Sequence, residues 1–204
     1  MRRFLAYALA ATLGVGGQSA QAAVSVGGFT LDTGTFGAQT GVHSTGTQSG
    51  STLNAFVNQD NSAVTFSTTT GIIKITGSGE ATIEGDPLIE NLNVSFAKAW
   101  DMITFNFGGD AGVFTLLVNG TSLFSGSNCS ICTIGKGNNQ FTIEGSAITN
   151  LGFTFNPSID AARQFRVDGI SAVPEPATWG MMLGGLALTG LALRRRKVSK
   201  VSFA

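Results

Sequence analysis

Charge is scarce in this 204-residue chain, at 12% Asp, Glu, Lys and Arg, and it has no runs of the Glu and Lys that fill exposed helices. It has one histidine, one tyrosine, two tryptophans and two cysteines. Each shortage weighs against a class of function. A catalytic triad needs a histidine base held by an acid. His43 stands in a polar Gly/Thr/Ser/Gln-rich stretch without an acidic neighbour in sequence, and reads as an incidental loop residue. Sugar-binding platforms use flat aromatic faces. Tyr7 lies in the N-terminal apolar run and Trp179 near the C-terminus, so the central region has only Trp100, which reads as a core or rim residue at a strand start. Positive charge is missing from the middle as well. Between Ala23 and Val173 five basic residues face eleven acids, a net charge of −6. That balance disfavours nucleic acid as a partner.

The basic residues are gathered at the two ends. "MRR" followed by "FLAYALAATLGVGG" gives a positive start and a short apolar run, and "SAQA" places Ala20 and Ala22 at small-residue positions before a cleavage point ahead of Ala23. This is the pattern of a secretory signal peptide over residues 1–22. It implies a Sec-type export machinery as partner and a domain outside the cytoplasm. Cys129 and Cys132, in "NCSIC", agree with that location, because an exported pair is usually oxidised. A redox C-x-x-C calls for a thioredoxin-like βαβ setting, and a zinc site for two more ligands. Neither surrounds this pair, which favours a small structural disulfide across a loop tip.

What is present in abundance is Gly, Thr, Ser, Asn and Phe, arranged as short apolar runs separated by turn signals. Ile103, Phe105 and Phe107 alternate with Thr104 and Asn106; Phe141 and Ile143 with Thr142 and Glu144; Leu151, Phe153 and Phe155 with Thr154 and Asn156. Period-2 alternation of this kind predicts half-buried antiparallel strands. Val113 to Val118 is apolar on both faces, which predicts a central strand. Asn119-Gly120 is a strong hairpin signal, whereas Thr33 to Ser51 shows no period and reads as a long loop or loose strands. Nine or more short strands without a helical period predict one all-β domain over residues 23–172, an antiparallel β-sandwich resembling a jelly roll.

Carboxylates cluster at Glu80, Glu84, Asp86 and Glu90, with Glu80 and Glu84 four apart on one expected strand and so on one face. Two acids can serve a glycosidase, and several can hold calcium through oxygen. Glu80, Glu84 and Asp86 are weak calcium candidates, since "GDP" at 85–87 reads as a solvated turn. Asp110 and Asp168 are oxygen ligands in principle, with no motif behind them. No catalytic residue and no cofactor is expected beyond that calcium option.

The C-terminal end carries the most specific signal. From Trp179 to Leu193 the chain is uncharged, and as a helix it would span about 22 Å, short of a hydrocarbon core of about 30 Å. It ends in Arg194, Arg195, Arg196 and Lys197, a stop-transfer pattern that leaves 198–204 as a cytoplasmic tail. Pro174-Glu175-Pro176, then Trp179, the apolar run and the arginine cluster resemble the PEP-CTERM sorting signal of Gram-negative bacteria, in its Pro-Glu-Pro-x-x-Trp-Ala variant. Gly180 stands where that variant has Ala, and "VSKVSFA" extends past the basic cluster, where many such tails end sooner.

The resemblance covers Pro174 to Lys197 and not the domain. It implies a sorting segment over 173–197 with a membrane helix at about 179–193, anchored transiently in the inner membrane. It also implies processing near Pro174-Glu175-Pro176 by an exosortase, a membrane-embedded thiol enzyme, and delivery to the cell surface or extracellular polysaccharide matrix. The prolines fit that role physically, since they keep the segment extended and delay the helix. The expectation for the domain is a non-enzymatic matrix, biofilm or adhesion role. A carbohydrate-binding module, with or without calcium, is the alternative, and a secreted hydrolase is less favoured.

Overall fold

The computed structural model describes residues 22–34 and 39–169. The expected signal peptide, the PEP segment, the membrane helix and the cytoplasmic tail lie outside them, as do the cleavage position Ala20, the motif residue Trp179 and the basic stop Arg194–Lys197. Ala22 is described, and its carbonyl accepts from the Thr33 amide at 3.2 Å, one residue before the first strand.

The described chain is all β. Its strands are β1 (Ala23–Val26), β2 (Phe29–Thr33), β3 (Thr40–Thr45), β4 (Gln48–Gly50), β5 (Thr52–Val57), β6 (Ala63–Ser67), β7 (Ile72–Ile75) and β8 (Ser78–Glu80), then β9 (Ile83–Gly109), β10 (Gly112–Val118), β11 (Thr121–Phe124), β12 (Thr133–Ile134) and β13 (Gly137–Asp168). Each pairing among them is antiparallel. The ladders close on themselves: β13 pairs β3, β3 pairs β5, β5 pairs β6, β6 pairs β9, and β9 returns to β13. The domain is therefore a closed five-strand barrel with further strands attached, and not the two-layer sandwich expected from the short runs. The physical reason is the length of β9 and β13. Each carries several of the expected short strands through bends without losing its hydrogen bonding, with register shifts after Glu144, Ile148, Thr154, Ile159 and Arg163. Such irregularities let one strand turn a corner and serve neighbours on both sides. The Ile103 segment of β9 is paired on one edge by Phe141–Glu144 and on the other by Val167.

The alternating residues face the core as expected. Phe66, Phe105, Phe107, Phe114, Phe141, Phe153 and Phe165 are fully buried, with Phe155 beside them. Phe107 is central: the ring centroids of Phe105, Phe114, Phe141, Phe153 and Phe155 lie 4.9–5.9 Å from it. Those of Phe153 and Phe155 meet it nearly edge to face, a favoured aromatic geometry. Trp100 is core as well, 2% exposed.

One expectation needs correcting, and a second, left open between a loop and loose strands, resolves to strands. Strand β10 is flanked on both edges, by β13 and by β11 and β12, but only one of its faces is buried; Val113 is 42% exposed. The Thr33–Ser51 stretch holds β3 and β4, and β3 inserts Val42 and Ser44 into the interior.

The hairpin signal at Asn119-Gly120 is realised, with φ of 50° and 80° at the two residues, both in the left-handed region. The Asn119 side chain also ties down the Ala147–Asn150 corner of β13. Its Nδ2 donates to the Ala147 carbonyl at 3.0 Å, and its Oδ1 accepts from the amides of Thr149 and Asn150 at 2.9 and 3.1 Å. Asn119→Ala is expected to cost about 2 kcal/mol in urea unfolding, from lost hydrogen bonds and an unfavourable positive φ. A cost below about 0.5 kcal/mol would mean the corner holds itself.

Candidate functional site

The sequence placed His43 in a loop, but the fold places it in β3 opposite Phe56 of β5 and Glu80 of β8. Gly41 makes room for the imidazole: a Cβ there would stand 3.0 Å from His43 Nε2 and 3.7 Å from Glu80 Oε1. Glu80 is engaged elsewhere, accepting from Arg166 Nε at 2.9 Å. The result is a His–Glu–Arg group on the outer face of the barrel.

The calcium candidates separate. Glu80 ends β8 while Glu84 lies in β9, so the two do not share a strand. Asp86 pairs with Lys74, and Glu84 stands opposite Lys74 in the ladder. Among the described residues no group of three or more His, Cys, Asp and Glu side chains is arranged to hold a metal ion. Beside Asp86, an open cleft of about 230 Å³ is lined by Thr70, Gly71, Pro87, Leu88, Glu90 and Ser158. Asn91 organises the loop next to it, its Oδ1 accepting from the Thr69 amide at 2.8 Å and its Nδ2 donating to the Thr70 hydroxyl at 2.7 Å.

Cys129 and Cys132 form the expected disulfide. Both are buried, and the Cys132 carbonyl accepts from the Phe114 amide at 3.0 Å, so the bridge closes a short turn against the core.

Polar residues fill part of the interior that alternation had assigned to solvent. The Thr104 and Thr142 hydroxyls are 2.7 Å apart and buried. Asn106 Oδ1 accepts from the Asn139 amide at 3.1 Å, and its Nδ2 donates to Gln164 Oε1 at 3.2 Å. The Arg163 guanidinium lies over Gly108, with Cζ 3.6 Å from where a Cβ would be. Nearby Asp32, opposite Thr142 in β2, has its pKa raised by burial. Asp60, on the β5–β6 turn, shows the opposite shift: the Lys98 ammonium, and then Ser62, hold it down to about 2.

A cleft of about 470 Å³, open to solvent, lies at the end of the described chain. It is lined by Asp101, Met102, Glu144, Gly145, Asp168 and Gly169. Pairing explains the convergence: Met102 of β9 stands between Glu144 and Asp168, its partners on the two flanking segments of β13. The Phe29 ring packs where a Cβ on Gly145 would sit. Gly169 forms a clasp: its carbonyl accepts from the Asp101 amide at 2.8 Å, and its amide donates to Asp168 Oδ1 at 2.7 Å. With φ of +66° and the Asp101 Cβ only 3.1 Å from a would-be Cβ, the position favours glycine. The carboxylates gathered here come from residues far apart in sequence, joined only by strand pairing. The sequence had singled out Asp168 alone of the three as an oxygen ligand.

Residues 172–197 match the family model of the PEP-CTERM protein-sorting motif. The chain carries that motif toward its C-terminal end, with two residues between it and the last described one. The motif points to an exported bacterial protein, sorted through an exosortase to the cell envelope or surface. No curated protein and no solved structure matches the chain.

Proposed function

We propose that this is a non-enzymatic surface or matrix protein of a Gram-negative bacterium. It is exported through the Sec-type machinery, held in the inner membrane by residues 179–193, and processed by an exosortase near Pro174-Glu175-Pro176. The β-barrel is the cargo that remains, with a role in adhesion or in the extracellular polysaccharide matrix. The observation that carries this reading is the sorting motif itself, beginning directly behind a folded β domain. A signal-peptide pattern at the opposite end and an oxidised cysteine pair support it. The non-enzymatic reading draws on the neighbours of His43, whose ladder partner Glu80 is bound to Arg166.

Fractionation tests this. In cells that contain an exosortase the domain is expected at the surface or in the medium, and in cells lacking the enzyme it is expected in the membrane fraction. Retention in the membrane under both conditions would make residues 179–193 a permanent anchor and remove the sorting step.

A further inference from the structure

The cleft beside Asp86 is built by three separate stretches of chain. Gly71, with φ of +70°, turns the chain into β7, and a Cβ there would stand 3.6 Å from the Asp86 carbonyl oxygen. Gly85 lets β9 double back so tightly that a Cβ on it would collide with the Leu88 backbone, and Asp86, Pro87 and Leu88 come out exposed. Ser158 completes the lining from the bend of β13 between Thr154 and Ile159. The Thr70 side is held by Asn91, whose Oδ1 also accepts from the Thr68 and Thr69 hydroxyls at 3.2 and 3.0 Å. The Thr70 hydroxyl oxygen accepts from Asn91 and keeps its own proton to donate.

Two kinds of group converge here. Asp86, Glu90, Thr70 and Ser158 supply acceptors and hydroxyls, and Pro87 and Leu88 supply apolar surface. Three large apolar side chains are exposed among the described residues; Leu88 lines this cleft, and Ile72 stands opposite Asp86 in the ladder. Apolar surface beside a few convergent polar groups is the make-up of a ligand site. Charge narrows the ligand. Asp86 pairs with Lys74, while Glu90 has no ion-pair partner among the described residues. The lining is therefore negative, which repels phosphate, sulfate and uronate groups. Its carboxylates favour hydroxyl donors, because hydrogen bonds to an ionised acceptor are the strong ones. The complement is a neutral molecule with several hydroxyls and one apolar face, which describes a neutral sugar ring. At about 230 Å³ the cleft falls below the roughly 300–1,000 Å³ of pockets for drug-sized ligands, so it takes one ring, and its open side lets a polymer pass.

We propose that this cleft binds one neutral hexose unit of a polysaccharide, without a metal ion. Asp86 and Glu90 accept from the sugar hydroxyls, Thr70 and Ser158 donate to its oxygens, and Pro87 and Leu88 cover its C–H face. The proposal deepens the matrix role above and rests on that reading for the source of the polysaccharide.

The test uses the full chain in a zwitterionic detergent without a sugar headgroup. Binding is measured to immobilised β-glucan, mannan and galactan, and to polygalacturonate as the acidic comparison, each with and without a chelator. At least one neutral polymer is expected to bind at least tenfold more tightly than polygalacturonate, unchanged by the chelator. Glu90→Gln and Leu88→Ala are each expected to weaken that binding at least fivefold. Both side chains are exposed, so the urea midpoint is expected to stay in place. Glu144→Gln, in the other cleft, is expected to bind as the wild type does. Absence of binding to every neutral polymer would overturn the proposal. So would equal or tighter binding to polygalacturonate, loss of binding with the chelator, wild-type binding by Glu90→Gln, or an equal loss from Glu144→Gln. Binding needs no exosortase, so the two readings fail separately. A chain that binds a neutral polymer but stays in the membrane with the enzyme present sinks the sorting step alone. A chain that is sorted but binds no neutral polymer sinks the cleft alone.

Discussion

Replacing Phe107 with alanine is expected to lower the stability of the domain by about 4 kcal/mol. The ring is fully buried between strands β10 and β13, with five other phenylalanine rings packed around it. Truncation removes its transfer free energy and leaves a cavity that a closed barrel cannot readily collapse, because its strands are hydrogen-bonded around the ring. Urea unfolding reads the loss as a lower midpoint at unchanged slope. A loss below about 1 kcal/mol would mean that the phenylalanine cluster is not the centre of the fold.

Gly85→Ala is expected to cost about 3 kcal/mol by overpacking. A Cβ at this position would stand 2.2 Å from the Leu88 carbonyl carbon and 2.5 Å from the Ile89 amide nitrogen. Those are backbone atoms, so no side-chain rotation relieves the clash, and the start of β9 must shift away from β7. Gly126→Ala is the matched control, because nothing lies within 4 Å of its would-be Cβ; it is expected to change stability by less than about 0.5 kcal/mol. Equal costs at the two sites would show that glycine entropy, and not the close approach in β9, dominates.

The sequence was legible where side chains alternate. Phe105, Phe107, Phe141 and Phe153 face the core because period-2 spacing leaves them no other face, and Asn119-Gly120 turns because few other pairs accept two positive φ values. Alternation reads one face and is silent about what covers the other. Thr104, Asn106 and Thr142 are buried for reasons that reside in their partners, Thr142, Asn139, Gln164 and the neighbouring strands. The barrel was hidden because "NLNVSFA" and "DMITFNFGGD" look like separate strands, yet β9 runs through both, and β13 is similarly continuous. His43 was hidden because Gly, Thr and Ser dilute the apolar period around β3, whose interior contribution is only Val42 and Ser44. The cleft at Asp101, Glu144 and Asp168 depends on register, which no single stretch of sequence encodes. The tail was legible because three unlike features occur in a fixed order, and the matching sorting motif covers the same segment.

The intact mass of the mature chain, with and without an exosortase, tests the central claim most directly. With the enzyme present, the expected mass begins at Ala23 and lacks Trp179 to Ala204, and without it the C-terminal segment is retained. A mass that still includes Trp179 to Ala204 in the presence of the enzyme would contradict processing and leave the chain anchored.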